Sequence, residues 1–281
     1  MNQKINLINY KSNTAAEELV ESLHSIGFAV IKNHPIDYNL FTSVTKEWER
    51  FFKMEEKHKY TFDPKLQDGY FPLFSENAKG YKIKDLKEFF HYYEWGKYPI
   101  EISEDTKNLY QSLLSIGNTL LHWIDSFSPE HITKTFSMPL SKMSTKSSMN
   151  LMRIIHYPSI DFKTKKGAIR AAAHGDINLI TILAAATEPG LQVLSKNKTW
   201  IDVECNPGWL VINTGDMLQE CTNGFYPSTI HRVINPKDEK KQSARFSMPV
   251  FIHPRPEVKL SERYTSEEFL NERLREIGLK K

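Results

Sequence analysis

From Met149 to Ile252 the chain breaks into eight short runs of apolar and β-branched residues separated by turn signals, and this pattern restricts the fold more than any other feature. The runs are NLMRIIHY, AIRAAAHGD, LITILAAA, GLQVL, TWIDV, WLVINTGD, TIHRVI and ARFSMPVFI. Runs of this length and composition read as strands. Eight of them at this spacing argue for an antiparallel sandwich or jelly roll. Within them, IRAAAHGDINLITILAAA (169–186) is apolar or small at nearly every position, as in a strand buried on both faces, yet it holds His174 and Asp176. Residues two apart share one face of a strand, so these two project together. An isolated charge among Ala, Ile and Leu is too costly to bury. The pair is therefore either a satisfied hydrogen bond or two ligands of a metal that takes N and O donors. His-x-Asp alone is too common to decide.

The first half reads as largely helical. Thr14-Ala-Ala-Glu17 has the form of a capping box, followed by Leu19, Val20, Leu23 and Ile26 at helical spacing and closed by Gly27. FAVIKNH (28–34) reads as a strand, and Asp37 caps a second helix running to Phe52. Ser103 to Phe127 carries Leu109, Leu113, Ile116 and Leu120 on one stripe, a long helix packed on the core. Ser128-Pro129 repeats the cap-then-proline start of another, and a final helix runs from Ser266 to Ile277. By this reading the chain divides into a mixed, helix-rich region (1–100), a supporting helical segment (101–148), a β core (149–255) and a C-terminal helix (256–281).

Composition removes several classes of function. The formal charge is only +3 and no long basic run occurs, which argues against nucleic-acid binding. No stretch is apolar enough to cross a bilayer, and MNQKINLINY lacks the apolar core of a signal peptide. With only Cys205 and Cys221, a disulfide framework is not expected, and a cytoplasmic setting is.

If His174 and Asp176 bind metal, a third ligand must come from a distant strand. YPSTIHRVINP offers His231, which faces one way with Thr229 and Val233 while Arg232 faces the other. Two His and one carboxylate form the facial triad of non-haem Fe(II) oxygenases. In SARFSMPVF, Arg245 and Ser247 share a strand face, with Phe251 if the strand stays regular. A buried arginine keeps its charge and needs an anion, either a protein carboxylate or a small dicarboxylate ligand.

The order His-x-Asp, His, Arg-x-Ser resembles that of the iron(II)- and 2-oxoglutarate-dependent dioxygenases of the isopenicillin-N-synthase-like group. MRIIHYP, GLQVL, WIDV, VINTGDML and YPSTIHRV match that family's motifs in order, and GYFP (69–72) and DLKEFF (85–90) resemble its N-terminal region. The resemblance implies a double-stranded β-helix core with a helix-rich N-terminal region. It implies Fe(II) on His174, Asp176 and His231, and 2-oxoglutarate held by Arg245, Ser247 and Tyr157. It further implies O2 as oxidant, succinate and CO2 as products, and hydroxylation of a small molecule as the usual outcome. Asp176 argues against halogenation, because halogenases of the family lose this carboxylate. Ile155 stands where plant members often carry an asparagine. Two rivals are a 2-oxoglutarate-independent iron oxidase of the same fold and a non-catalytic binding protein. Tyr70, Tyr81, Phe89 and Phe251 suggest a partly aromatic pocket. The primary substrate and the oligomeric state are not readable from the residues.

Overall fold

Two sheets lie at the centre of the computed structural model, which describes residues 5–76, 84–159, 169–184, 186–204, 206–236 and 243–276. The first half supplies β1 (Leu7–Asn9), β2 (Phe28–Lys32), β3 (Gly69–Phe71) and β4 (Glu88–Tyr92). The eight apolar runs supply β5 (Leu151–Tyr157), β6 (Ala171–His174), β7 (Ile180–Ala184), β8 (Leu191–Leu194), β9 (Trp200–Asp202), β10 (Leu210–Thr214), β11 (His231–Val233) and β12 (Arg245–Ile252). One sheet has the order β1-β2-β10-β7-β12-β5-β4-β3 and the other β6-β11-β8-β9. Among the described residues, the pairings between these strands are antiparallel except that of β1 with β2. The core is a jelly roll, and strands from the first half extend its larger sheet at both edges.

Both faces of that sheet are covered, which explains the continuous apolar runs. Phe246, Met248, Val250 and Ile252 of β12 join one apolar cluster with the helices. The alternate residues Arg245, Ser247, Pro249 and Phe251 face the interior between the sheets. Likewise Ile180 and Ile182 of β7 pack toward the helices, while Leu183 joins a second cluster inside the jelly roll with Phe28, Val193 and Val211.

Helices α1 (Ala15–Ile26), α2 (Tyr38–Lys53) and α3 (Asp105–Phe127) cover the outer face. The capping box at Thr14 does not form: its Oγ1 donates to Glu18 Oε1 at 2.5 Å and makes no cap bond. Gly27 ends α1 at φ 70°, where a Cβ would strike the Pro227 carbonyl. Asp37 caps α2 as expected, its carboxylate accepting from Asn39 N at 2.9 Å. The start at Ser128-Pro129 yields only the single turn α4 (Glu130–Thr133), before α5 (Leu140–Ser144). Later come α6 (Asp216–Cys221) and α7 (Ser266–Glu276). The long helix α3 approaches β7 and β12 through Gly117, whose missing side chain leaves room for Ile252 and Ile182.

Candidate active site

The run 169–186 is not one strand. β6 ends at His174, Asp176 lies in the following loop, and β7 belongs to the other sheet. His174 and Asp176 therefore converge through a turn between sheets, not through alternation along a single strand. Gly175 sits in that turn, where a Cβ would come 3.1 Å from Ser228 Oγ. His231, the first residue of β11, is the direct cross-strand partner of His174. One donor atom from each of His174, Asp176 and His231 lies within 4.8 Å of the others.

The geometry around these atoms leaves each with a lone pair facing the common centre. His174 Nδ1 is 2.8 Å from Ala172 O, and His231 Nδ1 is 3.2 Å from Thr229 O. A carbonyl only accepts, so each Nδ1 donates its proton and each Nε2 is left as a ligand atom. Asp176 Oδ2 accepts from Thr181 Oγ1 at 2.6 Å and from Asn213 Nδ2 at 2.7 Å. Asp176 Oδ1 remains, 4.0 Å from His174 Nε2 and 3.8 Å from His231 Nε2. These separations are too long for hydrogen bonds. Ligand bonds of roughly 2.0–2.2 Å put neighbouring donors on one cation about 3–3.5 Å apart, so a shift of under about 1 Å closes these atoms on a shared ion. Two imidazole nitrogens and one carboxylate oxygen on one side of a cavity fit Fe(II) with positions left open.

Electrostatics favour the same protonation states. Burial, with His231 alongside, pushes the His174 imidazole down to about 4. Burial works against the Asp176 carboxylate, but His231, His174 and the bonds from Thr181 and Asn213 outweigh it and hold its pKa below the ordinary value. Thr181 on β7 and Asn213 on β10 are themselves cross-strand partners. The larger sheet thus orients a carboxylate that the smaller sheet's loop delivers.

The cavity beside these residues is lined by Arg245, Ser247 and Tyr157 as well. Tyr157 and Ser247 face inward from β5 and β12, and Arg245 pairs directly with Tyr157. Arg245 is 2 % exposed, its Nε donates to Glu188 O at 2.9 Å, and its guanidinium lies 5.2 Å from the Tyr157 ring centre. Phe251 also lines the cavity, whereas Tyr70 is core, donating its hydroxyl hydrogen to Glu88 Oε2 at 2.5 Å. Phe89 is fully buried behind the wall, and Tyr81 lies outside the described residues. A larger cleft of about 550 Å³, beside Trp95, Tyr110 and Lys146, holds no comparable donor set among the described residues. Thr181 and Asn213 were not anticipated. Their signal was a polar residue inside each apolar run LITILAAA and WLVINTGD.

Residues 149–254 match the sequence profile of the 2OG-Fe(II) oxygenase superfamily, and residues 5–112 that of the non-haem dioxygenase in morphine synthesis N-terminal family. A Dictyostelium discoideum protein described as an iron/ascorbate oxidoreductase is 30% identical over 283 residues, covering 87% of this chain and 76% of its own length. The chain belongs to the 2OG-Fe(II) oxygenase superfamily. A crystal structure described as an oxygenase from Shewanella oneidensis is 45% identical to this oxygenase, with a TM-score of 0.89 and coverage of 98% and 99% of the two chains. A full-length Neurospora crassa protein, solved in complex with alpha-KG and thymine, shares the fold at 22% identity, TM-score 0.77 and 96% coverage of both chains. The oxygenase is an Fe(II)/2-oxoglutarate-dependent dioxygenase that uses Fe(II), 2-oxoglutarate and O2. Among its described residues no helix is long and apolar enough to cross a membrane.

Proposed function

We propose that the oxygenase couples decarboxylation of 2-oxoglutarate to succinate with hydroxylation of a small organic molecule, using His174, Asp176 and His231 as iron ligands. The observation that carries this reading is the Asp176 carboxylate: Oδ2 is held by Thr181 and Asn213 while Oδ1 faces two imidazole Nε2 atoms. When bound there, Fe(II) supplies open coordination positions for 2-oxoglutarate and O2.

Arg245, Ser247 and Tyr157 receive the far carboxylate of 2-oxoglutarate. Arg245 offers a planar two-pronged donor, and the two hydroxyls add single donors from neighbouring positions. Apolar residues around them, including Phe28, Ile155, Leu183 and Val233, keep bulk water from the reacting centre. The protein's contribution is position, dryness and fixed charge.

The test uses metal-loaded protein. With Mn(II) or Zn(II) bound, 2-oxoglutarate raises the melting temperature by mass action. With Fe(II), a panel of small acids, amino acids and aromatic compounds is screened for succinate release. Absence of a 2-oxoglutarate shift at millimolar concentration, or oxygen uptake without succinate, refutes the coupling.

A further inference from the structure

Arg170 is a buried cation that the co-substrate reading does not use. It stands one residue before β6 and is 1 % exposed. Its backbone N–H donates to Asn235 Oδ1 at 3.1 Å, and its Nη2 donates to Ser243 O at 2.5 Å. Nε and Nη1 are sealed from solvent and have no acceptor among the described residues. Glu188 favours the Arg170 charge, but more weakly than Arg245 opposes it. Burial first, then the Arg245 charge, pull its pKa down to about 10, so it stays protonated at neutral pH.

A cation buried with so little compensation is costly. The other cations of the cavity wall are matched. Lys87 Nζ lies 2.8 Å from Glu76 and 3.0 Å from Asp85, and Arg153 Nη1 donates to Glu76 at 3.3 Å. Departures from the rule that buried charges are compensated concentrate at functional sites.

Position gives this departure its use. Two of the three residues that receive the far carboxylate, Arg245 and Tyr157, act on the Arg170 charge. Ser243, which accepts from Nη2, is two residues ahead of Arg245, the first residue of β12. Ala171 lines the cavity and Arg170 does not. Arg170 thus stands behind the anchor and acts on an anion there through its charge, not by contact.

We infer that Arg170 is a positioning residue for 2-oxoglutarate, a second cation behind Arg245 whose repulsion in the ligand-free protein is relieved when the far carboxylate arrives. The inference rests on the function proposed above. One charge then has two linked effects: it costs stability in the ligand-free state and adds affinity for the dianion. A structural brace has only the opposite effect on stability.

The experiment reads the melting temperature of Zn(II)-loaded protein against 2-oxoglutarate concentration in the parent, Arg170→Gln and Arg170→Lys. Glutamine removes the charge but can still donate to Ser243 O, whereas lysine keeps the charge. Arg170→Gln should weaken 2-oxoglutarate binding about tenfold, within the range for residues that act without contact. Arg170→Lys should stay within about threefold of the parent. Without 2-oxoglutarate, Arg170→Gln should melt no lower than the parent. Undiminished binding in Arg170→Gln, an equal loss in Arg170→Lys, or a lowered melting temperature of ligand-free Arg170→Gln would each overturn the inference. If Arg170→Gln does not fold, Arg170→Met takes its place as the neutral variant; if neither folds, Arg170 is a brace and the inference fails. Absence of a 2-oxoglutarate shift in the parent would instead refute the co-substrate reading.

Discussion

Replacing Thr181 with valine removes one hydroxyl and almost no volume, and it tests whether the larger sheet tunes the metal site. The Thr181 hydroxyl donates to Asp176 Oδ2 at 2.6 Å, inside a cluster where both residues are buried. A hydrogen bond to a charged group contributes about 1.5–3 kcal/mol. Part of that loss falls equally on metal-free and metal-bound protein and cancels. The remainder, the orientation of Oδ1, appears in metal affinity. Partners of this kind typically change affinity ten- to a hundredfold, which corresponds to about 1.4–2.8 kcal/mol. Thr181→Val and Asn213→Ala should therefore each weaken Zn(II) binding by about tenfold or more. The double variant should lose more than the sum, because either donor alone still holds Oδ2. Metal-stripped protein is titrated with Zn(II) against a chromophoric chelator, and circular dichroism checks that the fold is intact. If both single variants bind Zn(II) as tightly as the parent, the anchoring argument is wrong.

Arg245→Lys should weaken 2-oxoglutarate binding about ten- to a hundredfold, because a point charge does not reproduce a planar two-pronged grip; an unchanged thermal shift would place the anchor elsewhere. Gly117→Ala gains about 1 kcal/mol of helix propensity but drives a methyl into Ile252 and Ile182. Overpacking of about 1–3 kcal/mol should win, and a denaturant midpoint at or above the parent's would contradict it. Burial works against the Glu76 carboxylate, but Arg153 and Lys87 outweigh it and hold its pKa below the ordinary 4.5. A lowered folded pKa contributes stability that is present above the unfolded value and lost as pH falls. The gap in melting temperature between parent and Glu76→Gln should thus start to narrow below about pH 5 and go on narrowing as the pH is lowered further, and a constant gap would exclude this role.

Local chemistry made much of the fold readable. The eight strands follow from β-branched composition and turn residues, and α1, α2 and α3 follow from helical spacing, with Gly27 and Asp37 at two of their ends. Alternation along β12 correctly put Arg245, Ser247 and Phe251 on one face, because that strand is regular over eight residues. Alternation misled at His174 and Asp176, because the strand stops between them and the chain crosses from one sheet to the other. The single-turn α4 fell short for a related reason: a cap signal starts a helix, but only packing prolongs it.

The remaining features depend on register between segments far apart in the chain. His174 meets His231 because β6 and β11 pair at that point, across 57 positions of sequence. Thr181 and Asn213 reach Asp176 because β7 and β10 are neighbours with those residues in register. Lys87 and Arg153 share a wall because β4, continued from the first half, pairs with β5. Composition and periodicity specify which face a side chain takes within one strand, since that depends only on backbone geometry. Which side chains meet across strands is decided by how the twelve strands of the described residues pair at once, and that is a property of the folded sheets alone.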